Sequence, residues 1–146
     1  MQGTVVAVCT SGQKGQRKVD VGTAMLIAGQ GIEGDAHAGF AHRQISLLAV
    51  ESIEKMKIKC GELVPGDFAE NLTVEGLDLP ALPVGTVLQI GETVLKVSQI
   101  GKECHHGCEV MKAVGDCVMP REGIFATVEQ GGRISRGDRV EVIGRV

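Results

Sequence analysis

The sequence predicts a mainly β fold: a closed β-barrel of short strands with one or two short helices. Three observations carry that expectation. β-branched and apolar residues come in short runs. Twenty-one glycines separate these runs along the whole chain instead of gathering in one linker. Only one stretch repeats its apolar residues at the spacing of a helix face. Many short strands with glycine turns and little helix is the pattern of small barrels.

In chain order, strands are expected at Thr4–Thr10, Arg43–Val50, Glu70–Gly76, Thr86–Ile90, Thr93–Ile100, Gly123–Gln130 and Asp138–Val146. The helix is expected over Val50–Lys59, where Val50, Ile53 and Met56 recur on one face and Cys60-Gly61 ends the pattern. A second helical turn is expected in "EVMKAV", after Cys108. Gly91-Glu92 joins two alternating runs as a two-residue hairpin turn with glycine first, the type II′ signature. Gly131-Gly132 is expected to turn the chain again, and "RGD" at Arg136–Asp138 to be a plain turn before the last strand. No repeat or internal boundary interrupts the 146 residues, so one domain, 1–146, is expected.

Composition narrows the function. With 43% hydrophobic and 23% charged residues the chain has the make-up of a soluble globular protein. No apolar window reaches the ~18 residues of a membrane span. The opening "MQGTVVAVCTSGQKG" lacks the form of a secretory signal, and the expected compartment is the cytoplasm. A net charge of −3 and only three aromatic residues argue against nucleic acid as a partner. "GQGIEG" (Gly29–Gly34) matches the dinucleotide-binding fingerprint by letter. It runs into "DAHAGFAH", which cannot supply the helix that the fingerprint needs beneath a pyrophosphate, so it is set aside.

Three polar segments could carry chemistry. "EGDAHAGFAHRQISLL" offers Asp35, His37, His42 and Arg43; "GDFAENLTVEG" offers Asp67, Glu70 and Asn71; "GDCVMPREGIF" offers Asp116, Cys117, Arg121 and Glu122. To these is added "IGKECHHGC", with Lys102, Cys104, His105, His106 and Cys108. Five cysteines in a reducing compartment are more often buried, ligating or reactive than bridged. Three readings of the cluster stand open. Cys104 and Cys108 have the spacing of a first pair of zinc ligands, which Cys117 and a histidine could complete. They could also form a redox-switch disulfide. Alternatively, Cys104 alone is a reactive or ligating thiolate, favoured by nearby cations and suited as a soft ligand to a metal already carrying sulfur. Arg43, Arg121 and Lys102 could then hold an anionic group, arginine through forked hydrogen bonds to phosphate.

"GIEGDAHAG…HRQISLL", "GDFAENLTVEGLDLPALPVGTVLQIG", "VLKVSQIGKEC" and "GDCVMPREGIFA", in this order, resemble the MOSC domain, named for the C-terminal part of molybdenum cofactor sulfurase. The resemblance covers about Lys18 to Val142. It implies a barrel related to the barrel domain of pyruvate kinase, and handling of the molybdenum cofactor (molybdopterin). Among amidoxime-reducing relatives a cysteine at the end of the strand before the loop ligates molybdenum, and Cys104 matches that position. The resemblance therefore makes Cys104 the metal ligand or sulfur carrier. Arg43, Arg121 and Lys102 are expected to hold the phosphate and pterin, with Asp35, His37, His42 and Asn71 completing the site. It implies a cysteine desulfurase or a molybdoenzyme as partner, with pyridoxal phosphate confined to a separate sulfurase. Reduction of N-hydroxylated compounds with a separate electron donor is the enzymatic alternative, and a zinc-binding or thiol-switch interaction module the non-enzymatic one. The chain shows no pattern for flavin, haem or an iron–sulfur cluster.

Overall fold

The computed structural model describes residues 2–13, 17–36, 38–39, 43–101 and 118–145. Its elements are β1 (Gln2–Thr10), β2 (Val19–Asp20), β3 (Thr23–Ile27), β4 (Gly31–Ile32), β5 (Ile45–Ala49), α1 (Val50–Cys60), β6 (Leu72–Glu75), a 3₁₀ turn (Leu79–Ala81), β7 (Thr86–Ile90), β8 (Thr93–Ile100), α2 (Met119–Glu122), β9 (Ile124–Gln130), β10 (Gly132–Ser135) and β11 (Arg139–Arg145). Seven strands follow one another around a sheet in the order β11-β7-β8-β9-β5-β6-β1, and β1 pairs with β11 to close it. These are the seven strands expected from the sequence, and the closed barrel is confirmed. β2 adds to β1, and β10-β3-β4 form a separate small sheet.

Alternation explains the closure. On β5, Ile45, Leu47 and Ala49 enter the barrel core; on β9, Ile124, Ala126 and Val128 do the same. The intervening Leu48 and Phe125 point the other way, into a second buried cluster with Ile53, Met56, Leu63, Phe68, Val118 and Met119. The sheet is therefore covered on this outer face by α1, α2 and the 61–71 loop. β5 and β6 are its parallel pair. A parallel pair needs a crossover, and α1 with its following loop supplies it.

The helix matches its expected start and ends one residue later, at Cys60. Ile53 and Met56 face the outer cluster, and the Gly61 amide donates to the Lys57 carbonyl at 3.0 Å. The Gly91-Glu92 turn closes between Ile90 and Thr93 with Gly91 at φ 57°, as a turn with glycine in the left-handed position requires. Residues 136–138 form the expected turn, pinned where Asp138 Oδ2 accepts the Ser135 amide at 2.8 Å. At Gly131-Gly132 the chain moves from β9 to β10 without a hairpin, because β10 pairs with β3. "GQGIEG" forms the β3–β4 connection, and no helix opens from it among the described residues.

Four strands were not expected: β2, β3, β4 and β10. β2 and β4 are two residues each. β3, "TAMLI", carries apolar side chains on both faces, so it shows no alternation; Met25 and Ile27 stay 45% and 41% exposed. The helical turn expected in "EVMKAV" lies outside the described residues, while α2 forms just after it. Among the described residues no helix is long and apolar enough to cross a membrane.

Candidate functional site

The end of β8 and the start of β9 lie side by side at the candidate site. β8 finishes at Ile100, and the described chain resumes at Val118 before α2. The Gly101 amide donates to the Gly123 carbonyl at 2.7 Å, so the exit from β8 is tied to the entry of β9. Cys104, Lys102, His105, His106, Cys108 and Cys117 belong to the intervening stretch and lie outside the described residues, as do His37 and His42. The zinc and disulfide readings rest on that stretch. Among the described residues no three His, Cys, Asp or Glu side chains converge as a metal cage.

Both arginines expected at the site rest on the outer apolar cluster beside this exit. The Arg43 guanidinium lies 5.9 Å from the centre of the Phe125 ring, a cation–π distance. Arg121, on α2, reaches 3.9 Å from Met56 Sδ. Phe125 and Met56 are members of the same buried cluster, so both guanidiniums contact that cluster. Glu122, next to Arg121, is already engaged. Its carboxylate accepts from Ser52 Oγ and Lys55 Nζ, each at 2.7 Å. Burial pushes this carboxyl up, but the Lys55 and Ser52 hydrogen bonds and the charges of Lys55 and Arg121 outweigh it and hold it below the usual range. Arg121 makes no ion pair among the described residues, though its charge is among those that act on Glu122.

Asn71 and Asp35 sit deeper. Asn71 Oδ1 accepts the Ser46 amide at 2.9 Å and the Ser46 hydroxyl at 3.2 Å, while its Nδ2 donates to the Cys9 carbonyl at 3.0 Å. The Asn71 amide in turn donates to Ser46 Oγ at 3.0 Å. One buried side chain thus locks β1, β5 and the start of β6 together. Asp35 Oδ1 accepts from Lys18 Nζ at 2.8 Å and from the Ser11 amide at 3.1 Å, and both charged side chains are 0% exposed. This pair fastens the 33–36 segment, which leads toward Arg43, to the end of β1. Arg43 and Arg121 thus each touch the same buried cluster, while Asp35 and Asn71 are tied into buried hydrogen bonds of the scaffold.

Sequence reasoning passed over Lys18, Ser11, Ser46 and Cys9. Lys18 follows "QKGQR" and resembles another solvated charge there; its partner lies 17 residues on, so no local pattern marks the pair. Glu70 is fully buried, and its carboxylate accepts from the Gly66 amide, the Phe68 amide and the Thr73 hydroxyl at 3.0, 3.2 and 2.8 Å. Desolvation still raises its pKa above the ordinary value, against these three donors. Burial, aided by the charges of Glu70 and Asp20, likewise pushes the Cys9 thiol far up. Cys9 is thus an inert packing thiol and no nucleophile.

Comparison with protein-family models gives one match: the MOSC domain, over residues 34–141. No curated protein matches the chain. Among solved structures it is similar to the YuaD protein of Bacillus subtilis, with a TM-score of 0.81 and 21% identity over 96% of this chain and 94% of that one. It is similar also to YiiM from Escherichia coli, at a TM-score of 0.73 and 22% identity over 100% of this chain and 71% of that one. YiiM from Geobacillus stearothermophilus gives 0.68 and 18%, over 97% and 73%. At these identities the structural likeness shows the fold.

Proposed function

The chain belongs to the MOSC domain family, and from that premise we propose that it binds the molybdenum cofactor, or carries sulfur for it, through the Cys104 thiolate. The observation that carries this reading is the shared cluster: Arg43 and Arg121 both lie against the apolar cluster that packs on β5 and β9. Two guanidiniums over an apolar floor suit a phosphorylated ligand with a flat heterocycle.

In this reading Arg43, Arg121 and Lys102 hold the phosphate and pterin. His37 and His42 are part of the same proposed cofactor-binding set. Asp35 and Asn71 act indirectly: the Lys18–Asp35 pair and the Ser46–Asn71 bonds fix the segments that present Arg43. When bound, the cofactor would supply a redox-active metal held by sulfur. The protein's own contribution is a soft thiolate ligand and an anion-binding rim. The proposed setting is the cytoplasm, with a cysteine desulfurase or a molybdoenzyme as partner.

Elemental analysis of protein made in cells that synthesise the cofactor tests the reading. Near-stoichiometric molybdenum in the wild type, lost in Cys104→Ser and reduced in Arg121→Ala, is the expected result. Molybdenum unchanged in Cys104→Ser would remove Cys104 as ligand. None in the wild type, with cofactor shown to be available, would overturn cofactor binding.

A further inference from the structure

The small sheet β10-β3-β4 has one face inside the protein and one in water. Leu26, Ile32 and Ile134 turn inward and join the barrel core, with Ala24 packed against it. The alternate positions of β3 turn outward, so Thr23, Met25 and Ile27 are exposed. Register sets what stands beside them. On one side Met25 is paired with Arg133 of β10. On the other, the β3–β4 ladder continues past Ile32, and the Glu33 amide donates to the Met25 carbonyl at 2.9 Å. A cation, a thioether and an anion therefore stand in one row across three strands. Arg133 and Glu33 are both exposed, and neither makes an ion pair or a side-chain hydrogen bond among the described residues.

We infer that this face is where two copies of the chain meet. A row that reads positive, apolar, negative is its own complement. Let a two-fold axis lie between two such faces, parallel to β3. The Glu33 of each copy then comes over the Arg133 of the other, and Met25 and Ile27 meet their own counterparts out of water. Stacked sheets stand ~10 Å apart, a gap that two facing side chains fill. An axis running across the strands would set Arg133 on Arg133, so the charges select one arrangement, an isologous contact. A partner of uniform charge would match one end of the row and be repelled by the other. Three short strands offer little against the ~800 Å² per partner of a standard interface, so a weak dimer is expected, in the micromolar to submillimolar range. None of the residues proposed to hold the cofactor takes part, and the inference is independent of that reading.

Sedimentation velocity across that concentration range tests it. The weight-average mass of the wild type is expected to climb from one chain toward two. Arg133→Glu and Glu33→Arg should each weaken the association by roughly tenfold or more, because both pairs become like-charged. Mixed in equal amounts, the two variants should associate again, since each presents the charges that the other lacks. The double variant should recover likewise, with both signs exchanged. Should either reversal fail to fold by circular dichroism, Met25→Lys sets a charge against itself on the axis and must also abolish the dimer. A mass of one chain at every concentration would overturn the inference. So would a dimer that the folded variants keep, or a mixture that does not recover.

Discussion

Glu70 is the residue whose environment is most at odds with its charge. It is fully buried, and three donors do not offset the loss of water around it. Its folded-state pKa therefore lies above the ordinary glutamate value of about 4.3. The stability it contributes is complete below that unfolded value and is lost as pH rises through the folded one. Glu70→Gln has no proton to lose, but turns an amide nitrogen toward one of the backbone donors. That variant should be less stable than wild type by about 1–3 kcal/mol in mild acid. The gap should narrow as the pH is raised toward neutrality. Urea midpoints of both proteins across that range check this, and a constant gap would show that Glu70 titrates normally. At this scale the sequence was half legible. Arg43 and Arg121 were named from polar segments, "EGDAHAGFAHRQISLL" and "GDCVMPREGIF", and their common contact with one buried cluster, made from places far apart in the chain, left no mark there. Asp35 and Asn71 could be named too, but their partners Lys18 and Ser46 could not, since they come from 17 and 25 residues away in the chain.

Among the elements, the loop over residues 61–71 depends on one close approach. Gly66 has φ 95°, and a Cβ there would collide with the Lys18 carbonyl. The same glycine accepts the Lys18 amide at its carbonyl and donates to Glu70. Gly66→Ala should destabilise the protein by roughly 1–3 kcal/mol through backbone strain, and by more if the loop detaches. A thermal midpoint within about a degree of wild type would show that the loop yields freely. The strands of the barrel were legible as short β-branched and apolar runs set off by glycine turns, even where, as on β5, both faces are buried. β3 escaped notice because both faces are apolar, and β2 and β4 because two residues cannot show a period. α1 was legible because its apolar stripe has a single cluster to meet.

For the molecule as a whole, closure rests on the short ladder between β1 and β11, where Gln2, Gly3 and Thr4 face Glu141, Val140 and Arg139. Removing residues 139–146 would expose the edges of β1 and β7 together and uncover Leu88, Ile90 and Val5 in the core. A broad, non-cooperative urea transition by circular dichroism is expected of that truncation; an unchanged sigmoid would show that the barrel holds without its last strand. Intrinsic fluorescence would be a poor probe, because the chain has no tryptophan or tyrosine. The closing ladder also has a mechanical side. β1 and β11 are antiparallel, so the first residue of one and the last of the other leave the barrel at the same end. Tension between the two ends of the chain would load the β1–β11 hydrogen bonds one after another, as in a zipper, and not all at once in shear. The same closure that leaves the barrel no open edge is the seam from which it would be peeled.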